Sequence, residues 1–352
     1  MKKVYLLLAL SLACCFSCSK DDGLEPEPPV VVPEPEPEPI VWKNYLSGVD
    51  LVKDSMWVDG KGKTFIVENT SFSAFVLRDH YRLKDGIYPG LVIDVNPEQT
   101  PTMKPVTDVE YYPVTFSSWP FVGAVTTEHP VESMCTEMKE KVLTVSDQIN
   151  YFSASSGRDY HSAKELYMLF ASKGIRMDSL INGREYSNRE MKEKNGVLYS
   201  FKYTAFTIAM DLPQNGQLLK KDPENYTSLK YIRSISYGVI GCMTIESDSA
   251  CASIKAVVNR VKAGEELTEA ENTLIRNSHV RTAIFNAGGG GGRSAEEVGP
   301  VLGATQAMIR EYFNPGDLKA CVGMLDVYFS DYNTHGVADG MLRIDAPVSS
   351  KE

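Results

Sequence analysis

The feature that most constrains the fold of this chain is a pair of long stretches with alternating apolar and polar residues, at residues 197–212 and 231–247. In the second stretch apolar or aromatic residues recur at alternate positions, whereas Ser236, Thr244 and Glu246 fall on the opposite face. Strands of ~16 residues are much longer than the usual ~5–6. We therefore predict two long antiparallel strands in a sheet with one buried and one exposed face.

A segment with helical spacing of apolar residues lies beside each long strand. In the first segment Leu166, Tyr167 and Phe170 mark one helical stripe, and in the second segment Ile254 and Val258 do so. We therefore predict two helical clusters that pack against the sheet.

Both segments also alternate with a period of two, as strands do. Read in this way, each segment is long enough for strands that cross a membrane in ~9–11 residues. The side chains that would then face lipid are Leu166, Met168, Phe170, Ile175, Met177 and Ile181 in the first segment, and Ala252, Ile254, Ala256 and Val258 in the second. The returning arm of the second segment has Thr268, Ala270, Asn272 and Leu274 on one face and Glu269 and Glu271 on the other. Ordinary packing helices are the alternative interpretation.

Composition excludes several classes of function. The chain has 352 residues and a net charge of −10, which allows one large domain or two to three modest ones. No basic stripe indicates binding to nucleic acid. The histidines and cysteines match no metal or redox spacing, and no nucleophile and base motif is present, so we expect neither a cofactor nor an enzyme.

Residues 1–18 have the features of a bacterial lipoprotein signal peptide. Two lysines precede a short apolar run that ends in CCFSC, and we predict lipid attachment at Cys18. Cys14 is a second candidate, and a plain signal peptide is the alternative. The residues that follow, Ser19, Lys20, Asp21 and Asp22, resemble the acidic export signal of Gram-negative surface lipoproteins. We therefore expect an outer-membrane lipoprotein at the cell surface, held on an acidic Pro/Glu linker at residues 19–41.

Four cysteines follow the signal segment, at Cys135, Cys242, Cys251 and Cys321. A protein outside the cytoplasm can form disulfides, but apolar surroundings favour buried free thiols for at least three of them. The sequence leaves both states open.

Five consecutive glycines, residues 288–292, follow a predicted strand at residues 278–287. A phosphate-binding loop is excluded because Arg293 and Ser294 stand where Lys and Ser or Thr are required. We predict that Gly288 and Gly289 form a hinge, with a flexible linker as the alternative, and that Gly238 serves the bend of the sheet in the same way. We further predict a capping box of Ser294 and Glu297 at the start of the next helix.

Several segments, in order along the chain, resemble the cholesterol-dependent (thiol-activated) cytolysins of the membrane-attack-complex and perforin superfamily. FKYTAFTIAMDLPQNGQLL is similar to the family's long strand that ends in DLP, and RSISYGVIGCMTIES is similar to its SVAYGR strand. TAIFNAGGGGGRSAEEV is similar to its AVVLGGDA strand with the diglycine, and DYHSAKEL resembles the start of its first helical cluster. A weaker similarity extends over residues 44–339.

The resemblance implies an α+β fold with a bent central antiparallel sheet flanked by two helical clusters. The sheet and clusters are expected at residues 149–312, with strands at residues 149–156, 197–212, 231–247 and 278–287. A discontinuous upper domain is expected from residues 42–148 and 313–352, which together with 149–312 make a body at 42–352. The family's C-terminal β-sandwich, with its tryptophan-rich loop, is not expected, because Trp42, Trp57 and Trp119 all lie near the N-terminus.

The same resemblance implies a function. Short cytolysin-like lipoproteins are the nearer match, so we expect assembly into a β-barrel pore as a homo-oligomer or with a longer cytolysin-like partner, aimed at other bacteria. The partners would be the cell's own outer membrane, through the lipid, and a target membrane; cholesterol is not expected. The alternative is a surface-binding lipoprotein that has kept the fold without lytic activity.

Overall fold

The structure is a computed structural model. It describes residues 46, 49–56, 58–60, 62–74, 77, 83, 86–96, 102–120, 122–145, 151–154, 157–171, 191–224, 226, 228–285, 293–298, 302–313 and 322–347. All of these residues belong to one compact unit, Ile40–Glu352.

Sixteen strands and five helices lie in this part of the chain. The strands before the first long strand are β1 Asp50–Met56, β2 Gly62–Asn69, β3 Ser71–Ser73, β4 Val92–Asn96, β5 Thr102–Pro105, β6 Val114–Trp119, β7 Ala124–Thr127, β8 Tyr151–Ala154 and β9 Arg158–Tyr160. The remaining strands are β10 Asn195–Met210, β11 Leu229–Ser247, β12 His279–Phe285, β13 Arg293–Val298, β14 Gly323–Asp331, β15 Val337–Ala338 and β16 Gly340–Pro347. The helices are α1 Glu132–Val145, α2 Ala163–Ala171, α3 Cys251–Ala263, α4 Glu269–Arg276 and α5 Leu302–Phe313.

The two long stretches form the predicted pair of antiparallel strands. β10 and β11 pair from Asn195 opposite Ser247 to Ala209 opposite Ser234, with a bulge near Ala205. Each changes partner along its outer side: β10 pairs with β9, β8 and β6 in turn, and β11 pairs with β12 and β14. On the side that faces β10, the first residues of β11 pair with β4 instead. The resulting sheet has 13 strands among the described residues.

Gly238 lies where β11 exchanges one outer partner for another. The β14 ladder ends at Gly238, and the β12 ladder begins at Ile240. A Cβ atom at Gly238 would overlap the backbone oxygen of Tyr203 on β10. The position therefore requires glycine for close approach of two backbones at the change of partner.

The N-terminal and C-terminal parts of the body fold together, as predicted for a discontinuous upper domain. β16 pairs with β2 along its whole length, and β1 completes a separate three-stranded sheet, which we call the small sheet. β14 pairs with β3 and also with β11, so the C-terminal segment joins the large sheet directly.

The prediction of an exposed sheet face is wrong. Ser236, Thr244 and Glu246 are buried, with 2–4% of their surfaces accessible. On this face α2 packs in a cluster with Ile240 and Cys242, and Ser236 donates a hydrogen bond to Asp326 of β14. The helices α3, α4 and α5 lie on the other face. Helices on both sides make this region three layers thick.

The predicted capping box of Ser294 and Glu297 is also wrong. These residues lie in β13, where Glu297 is opposite Arg281 of β12, and the helix α5 begins only at Leu302. Pro300 disfavours helical backbone at the residue before it. The strand ladder and this proline together move the start of the helix beyond the predicted position.

Candidate functional site

Two inserted segments interrupt the large sheet and form the candidate site. The first insert, residues 161–194, joins β9 to β10 and contains α2. The second insert, residues 248–278, joins β11 to β12 and contains α3 and α4. No helix in the described part of the chain is long and apolar enough to cross a bilayer.

The first insert is seated on one face of the sheet by apolar contacts. Leu166 and Phe170 belong to a buried cluster with Leu198 of β10 and Ile240 and Cys242 of β11. We call this side of the sheet the α2 face. The predicted residues Leu166, Met168 and Phe170 are all buried, whereas Ile175, Met177 and Ile181 lie outside the described residues.

The helix α2 also reaches the small sheet. The Tyr167 hydroxyl donates a hydrogen bond to the backbone oxygen of Asp345 on β16, at 3.2 Å. Met168 belongs to the main core cluster, which includes Phe65 of β2 and Ile344 of β16. The helix is therefore in contact with elements of both sheets, which explains why Leu166, Met168, Leu169 and Phe170 are all buried.

A buried carboxylate joins the two ends of the first insert to β11. Glu246 accepts a hydrogen bond from the Tyr160 hydroxyl at 3.1 Å and another from the backbone N–H of Lys192 at 2.7 Å. Tyr160 immediately precedes the insert, and Lys192 is near its end. One side chain, 2% exposed, thus fixes both the entry and the exit of this segment.

The ring of Tyr160 lies over a glycine in the neighbouring strand. Gly196 is directly opposite Tyr160, and a Cβ atom there would overlap the ring. The ring is fully buried and packs on the backbone of Gly196, where no side chain intervenes. The roles of Gly196 and Glu246 depend on the strand register, and no local sequence motif indicates them.

The second insert packs as a helical pair on the opposite face, which we call the α3 face. Ile254, Val257, Val258 and Val261 are buried in the core cluster with Val239 and Met243 of β11. Ala252 and Ala256, the other predicted lipid-facing residues, are exposed in the helix. The helical spacing is therefore confirmed, and the period of two has no counterpart in this conformation.

The turn between α3 and α4 is held by one arginine. Arg260 donates to both carboxylate oxygens of Glu271, at 2.9 and 2.7 Å, and to Glu265 at 3.0 Å. Thr268 and Glu271 form a capping box at the start of α4. Hydrogen bonds from Thr268, and then the nearby Arg260 guanidinium, lower the pKa of the Glu271 carboxyl below its ordinary value.

The helix α5 binds the second insert to the sheet. Gln306 donates from its amide nitrogen to the Asn272 side chain at 3.2 Å, and the Tyr312 hydroxyl donates to the backbone oxygen of Gly241 on β11 at 3.1 Å. The Tyr312 ring also contacts Phe201 of β10, with 5.1 Å between the ring centroids. The second insert thus packs against both the sheet and α5.

Two ion pairs connect elements that are distant from each other in the sequence. Lys255 of α3 pairs with Asp159 of β9 at 2.6 Å, so the second insert is tied to the strand that leads into the first. Lys202 of β10 pairs with Asp326 of β14, and the Ser236 hydroxyl also donates to Asp326, at 3.4 Å. Both pairs join residues far apart in sequence, which no spacing rule could have predicted.

Three of the four body cysteines are buried free thiols. Burial raises the pKa of the Cys135 thiol to about 12 and that of the Cys251 thiol above its ordinary value. These two thiols are therefore protonated at neutral pH and poor nucleophiles. Cys242 lies in the α2-face cluster, and Cys321 is outside the described residues.

Other predicted site residues also lie outside the described part of the chain. They are the lipid-attachment residue Cys18, the export-signal residues Ser19, Lys20, Asp21 and Asp22, and the hinge residues Gly288 and Gly289. The flanking strands are described: β12 ends at Phe285, and β13 pairs antiparallel with it on the edge of the sheet.

Solved structures with the same arrangement exist. A crystal structure of a non-hemolytic pneumolysin from Streptococcus pneumoniae strain ST306 is similar with a TM-score of 0.53, over 85% of this chain and 68% of that chain, at 17% identity. The human-specific toxin intermedilysin has a TM-score of 0.53 over 85% of this chain and 68% of its own, at 15% identity. The cytotoxin protein suilysin from Streptococcus suis has a TM-score of 0.54 over 86% of this chain and 68% of its own, at 14% identity.

No protein-family model and no curated protein sequence matches the chain. At identities of 14–17% the structural similarity concerns the fold alone. It confirms the resemblance that the ordered sequence segments predicted. By its structure, this chain therefore has the fold of the cholesterol-dependent cytolysins.

Proposed function

We propose that this protein is a surface lipoprotein that oligomerises into a β-barrel pore by converting its two inserts into membrane-crossing hairpins. The observation that carries the proposal is the continuity of the inserts with the sheet. β9 and β10 lead into and out of the first insert, and β11 and β12 lead into and out of the second. Each insert would become a hairpin by extending two strands that are already present.

The composition of the inserts supports the proposal. Five buried residues of α2 and α3 would exchange contact with the protein interior for contact with lipid, so their apolar surface stays out of water in both states: Leu166, Met168, Phe170, Ile254 and Val258. Hydrogen bonds such as that from Tyr160 to Glu246 hold the inserts in the packed conformation, which we call the stored state. These bonds can open without breaking a covalent link. No disulfide joins the described cysteines to hold the inserts in place.

A disulfide that pins the first insert to the sheet tests this function. Cys242 already lies in the buried cluster with Leu166, so Leu166→Cys places a second thiol in the same cluster. We expect oxidised protein, with the disulfide verified by mass spectrometry, to release no dye from susceptible liposomes, because the insert cannot leave the sheet. Reduction should restore release.

The matched control is Leu166→Cys with Cys242→Ser, which cannot form the disulfide and should release dye under both conditions. Equal release by the oxidised and reduced forms of the locked protein would reject insertion of the first insert. Absence of release by the unaltered protein with every membrane and cytolysin-like partner tested would favour the alternative, a surface-binding lipoprotein with this fold.

The cellular location is part of the proposal. The signal segment and the residues Ser19 to Asp22 support a lipid anchor at Cys18 on the outer face of a Gram-negative outer membrane. We expect Cys18→Ala to move the protein from the membrane to the soluble fraction. Retention of this variant in the membrane fraction would contradict the anchor.

Assembly is proposed to begin at the edge of the large sheet. Displacement of β13, with Gly288 and Gly289 as the hinge, would expose the edge of β12 for pairing with another copy. We expect Gly288→Val with Gly289→Val to fold and to bind membranes without forming rings. Normal rings by electron microscopy would exclude the hinge.

A further inference from the structure

The register of β11 and β12 determines which residues would share a face in an extended second hairpin. The ladder runs without a shift from Ile240 opposite Phe285 to Glu246 opposite His279. Side chains of directly opposite residues lie on the same face of an antiparallel pair. Any hairpin that continued this ladder would therefore have its faces fixed in advance.

Continuing the ladder unchanged gives a poor membrane strand pair. It would place Ile254 opposite Glu271 and Ala256 opposite Glu269. Both carboxylates would then lie on the face that is proposed to contact lipid. Charged side chains on the lipid face destabilise a membrane β-strand.

A shift of one residue removes this conflict. If one extra residue of β11 is accommodated between Glu246 and Ala252, charged residues on the lipid face are confined to Arg260 and Glu266, opposite each other beside the turn. The eight positions before them are uncharged: Ala252, Ile254, Ala256 and Val258 on one arm and Thr268, Ala270, Asn272 and Leu274 on the other. On the opposite face Lys255 is then directly across from Glu271. Cross-strand pairs of opposite charge stabilise antiparallel strands.

The shifted register also places a suitable residue in the hairpin turn. It leaves Lys262, Ala263 and Gly264 as a three-residue loop, a type that requires a left-handed residue at its third position. Gly264 already has this conformation at the end of α3, with φ 73° and ψ 19°. The unshifted ladder would instead leave the two-residue loop Lys262-Ala263, in which left-handed backbone is unfavourable for both residues.

The other side of the sheet shows that this fold accommodates such a shift. In β10 two residues separate Phe201, which is opposite Ala154, from Leu198, which is opposite Arg158. Three residues separate Ala154 from Arg158 on the outer side. Gly157, with φ 86°, lies in this interval. A bulge of the same kind thus already precedes the first insert.

We propose that the second insert forms its hairpin one residue out of register with the β11–β12 ladder, with a bulge at residues 247–250 and Lys255 and Glu271 paired on the pore-lining face. This proposal rests on the proposed function and adds to it the assignment of lipid-facing and pore-lining positions. In the stored state the two residues have other partners, since Lys255 pairs with Asp159 and Glu271 with Arg260.

Cysteine cross-linking of the full-length protein distinguishes the two registers. One variant carries Lys255→Cys with Glu271→Cys, and the matched variant carries Ile254→Cys with Glu271→Cys. Both have Cys251→Ser, and both lose the same contact between Arg260 and Glu271. Each is oxidised before and after incubation with liposomes that the protein permeabilises, and mass spectrometry identifies the linked peptides.

We expect the 255–271 cross-link to increase at least tenfold on membranes and the 254–271 cross-link to stay at its level in solution. The reverse result would overturn the shifted register. If neither cross-link increases while dye is released, the second insert does not form this hairpin, and the proposal fails although the proposed function stands. If no dye is released and neither increases, both fail.

Discussion

At the scale of single residues, Glu246 joins both ends of the first insert to β11. Replacement by alanine removes the acceptor of the Tyr160 hydroxyl in a buried site, together with the part-buried bond from the Lys192 N–H. An unsatisfied buried donor costs about 1–3 kcal/mol. We expect Glu246→Ala to lower the free energy of unfolding by about that amount in urea denaturation, and Glu246→Gln to lower it less, because an amide oxygen still accepts one bond.

The matched control is Glu224→Ala. Glu224 is exposed and pairs with Lys221, at 3.0 Å, and such surface pairs contribute about 0–1 kcal/mol. Equal effects of the two alanine substitutions would show that the buried carboxylate does not hold the insert.

The sequence could not assign these residue roles. The alternation of β11 correctly separated Glu246 from the apolar face, but it placed that residue in solvent, because nothing local shows that a helix will cover the polar face. Gly196 and Tyr160 are 36 positions apart, and their contact follows from the register of β9 with β10. Register and coverage are properties of the tertiary structure.

At the scale of elements, the short helix α4 depends on its N-terminal cap. Thr268 accepts a hydrogen bond from the backbone N–H of Glu271, at 3.3 Å. Loss of a threonine cap costs about 0.5–2 kcal/mol. We expect Thr268→Ala to lower thermal stability accordingly, while Thr273→Ala, an exposed position within the same helix, changes it by less than about 0.5 kcal/mol. Equal changes would show that the cap is unimportant.

The cap also predicts a dependence on pH. The pKa of Glu271 is lowered from 4.5 in the folded protein, first by its hydrogen bonds with Thr268. A lowered folded pKa means that the stabilisation is complete above the unfolded pKa and is lost as the pH falls through the folded pKa. We therefore expect amide protection factors in α4 to decrease on acidification below about 4.5, with no such step for Glu271→Gln. A step of the same size in that variant would assign the effect to other carboxylates.

Elements were more predictable than their boundaries. The four strands predicted at residues 149–156, 197–212, 231–247 and 278–287 are β8, β10, β11 and β12, each within a few residues of the prediction. Long alternating stretches and apolar stripes are strong local signals. The segment with Ser294 and Glu297 was misassigned because a capping sequence is also compatible with an edge strand, and pairing with β12 decides between them.

At the scale of the whole molecule, the small sheet joins parts of the chain that are distant in sequence. Leu342 and Ile344 of β16 are 3–4% exposed and pack in the same core cluster as Phe65 of β2. Burying two such side chains contributes about 3–6 kcal/mol. We expect deletion of residues 337–352 to destabilise the protein by at least this amount, and to reduce hydrogen-exchange protection of α2, since Tyr167 loses its acceptor on Asp345.

Deletion of residues 348–352 alone is the control for this truncation and should leave both quantities unchanged. Unchanged protection of α2 in the longer deletion would show that the small sheet does not support the first insert.

The pairing of β2 with β16 also has a consequence for the timing of folding. Residues 62–69 are made early, but their partner strand is among the last segments of the chain. At ~5–20 residues per second, on the order of tens of seconds separate the synthesis of the two strands. During that interval the edge of β2 that later pairs with β16 is open, and an open strand edge is a site at which other chains can pair.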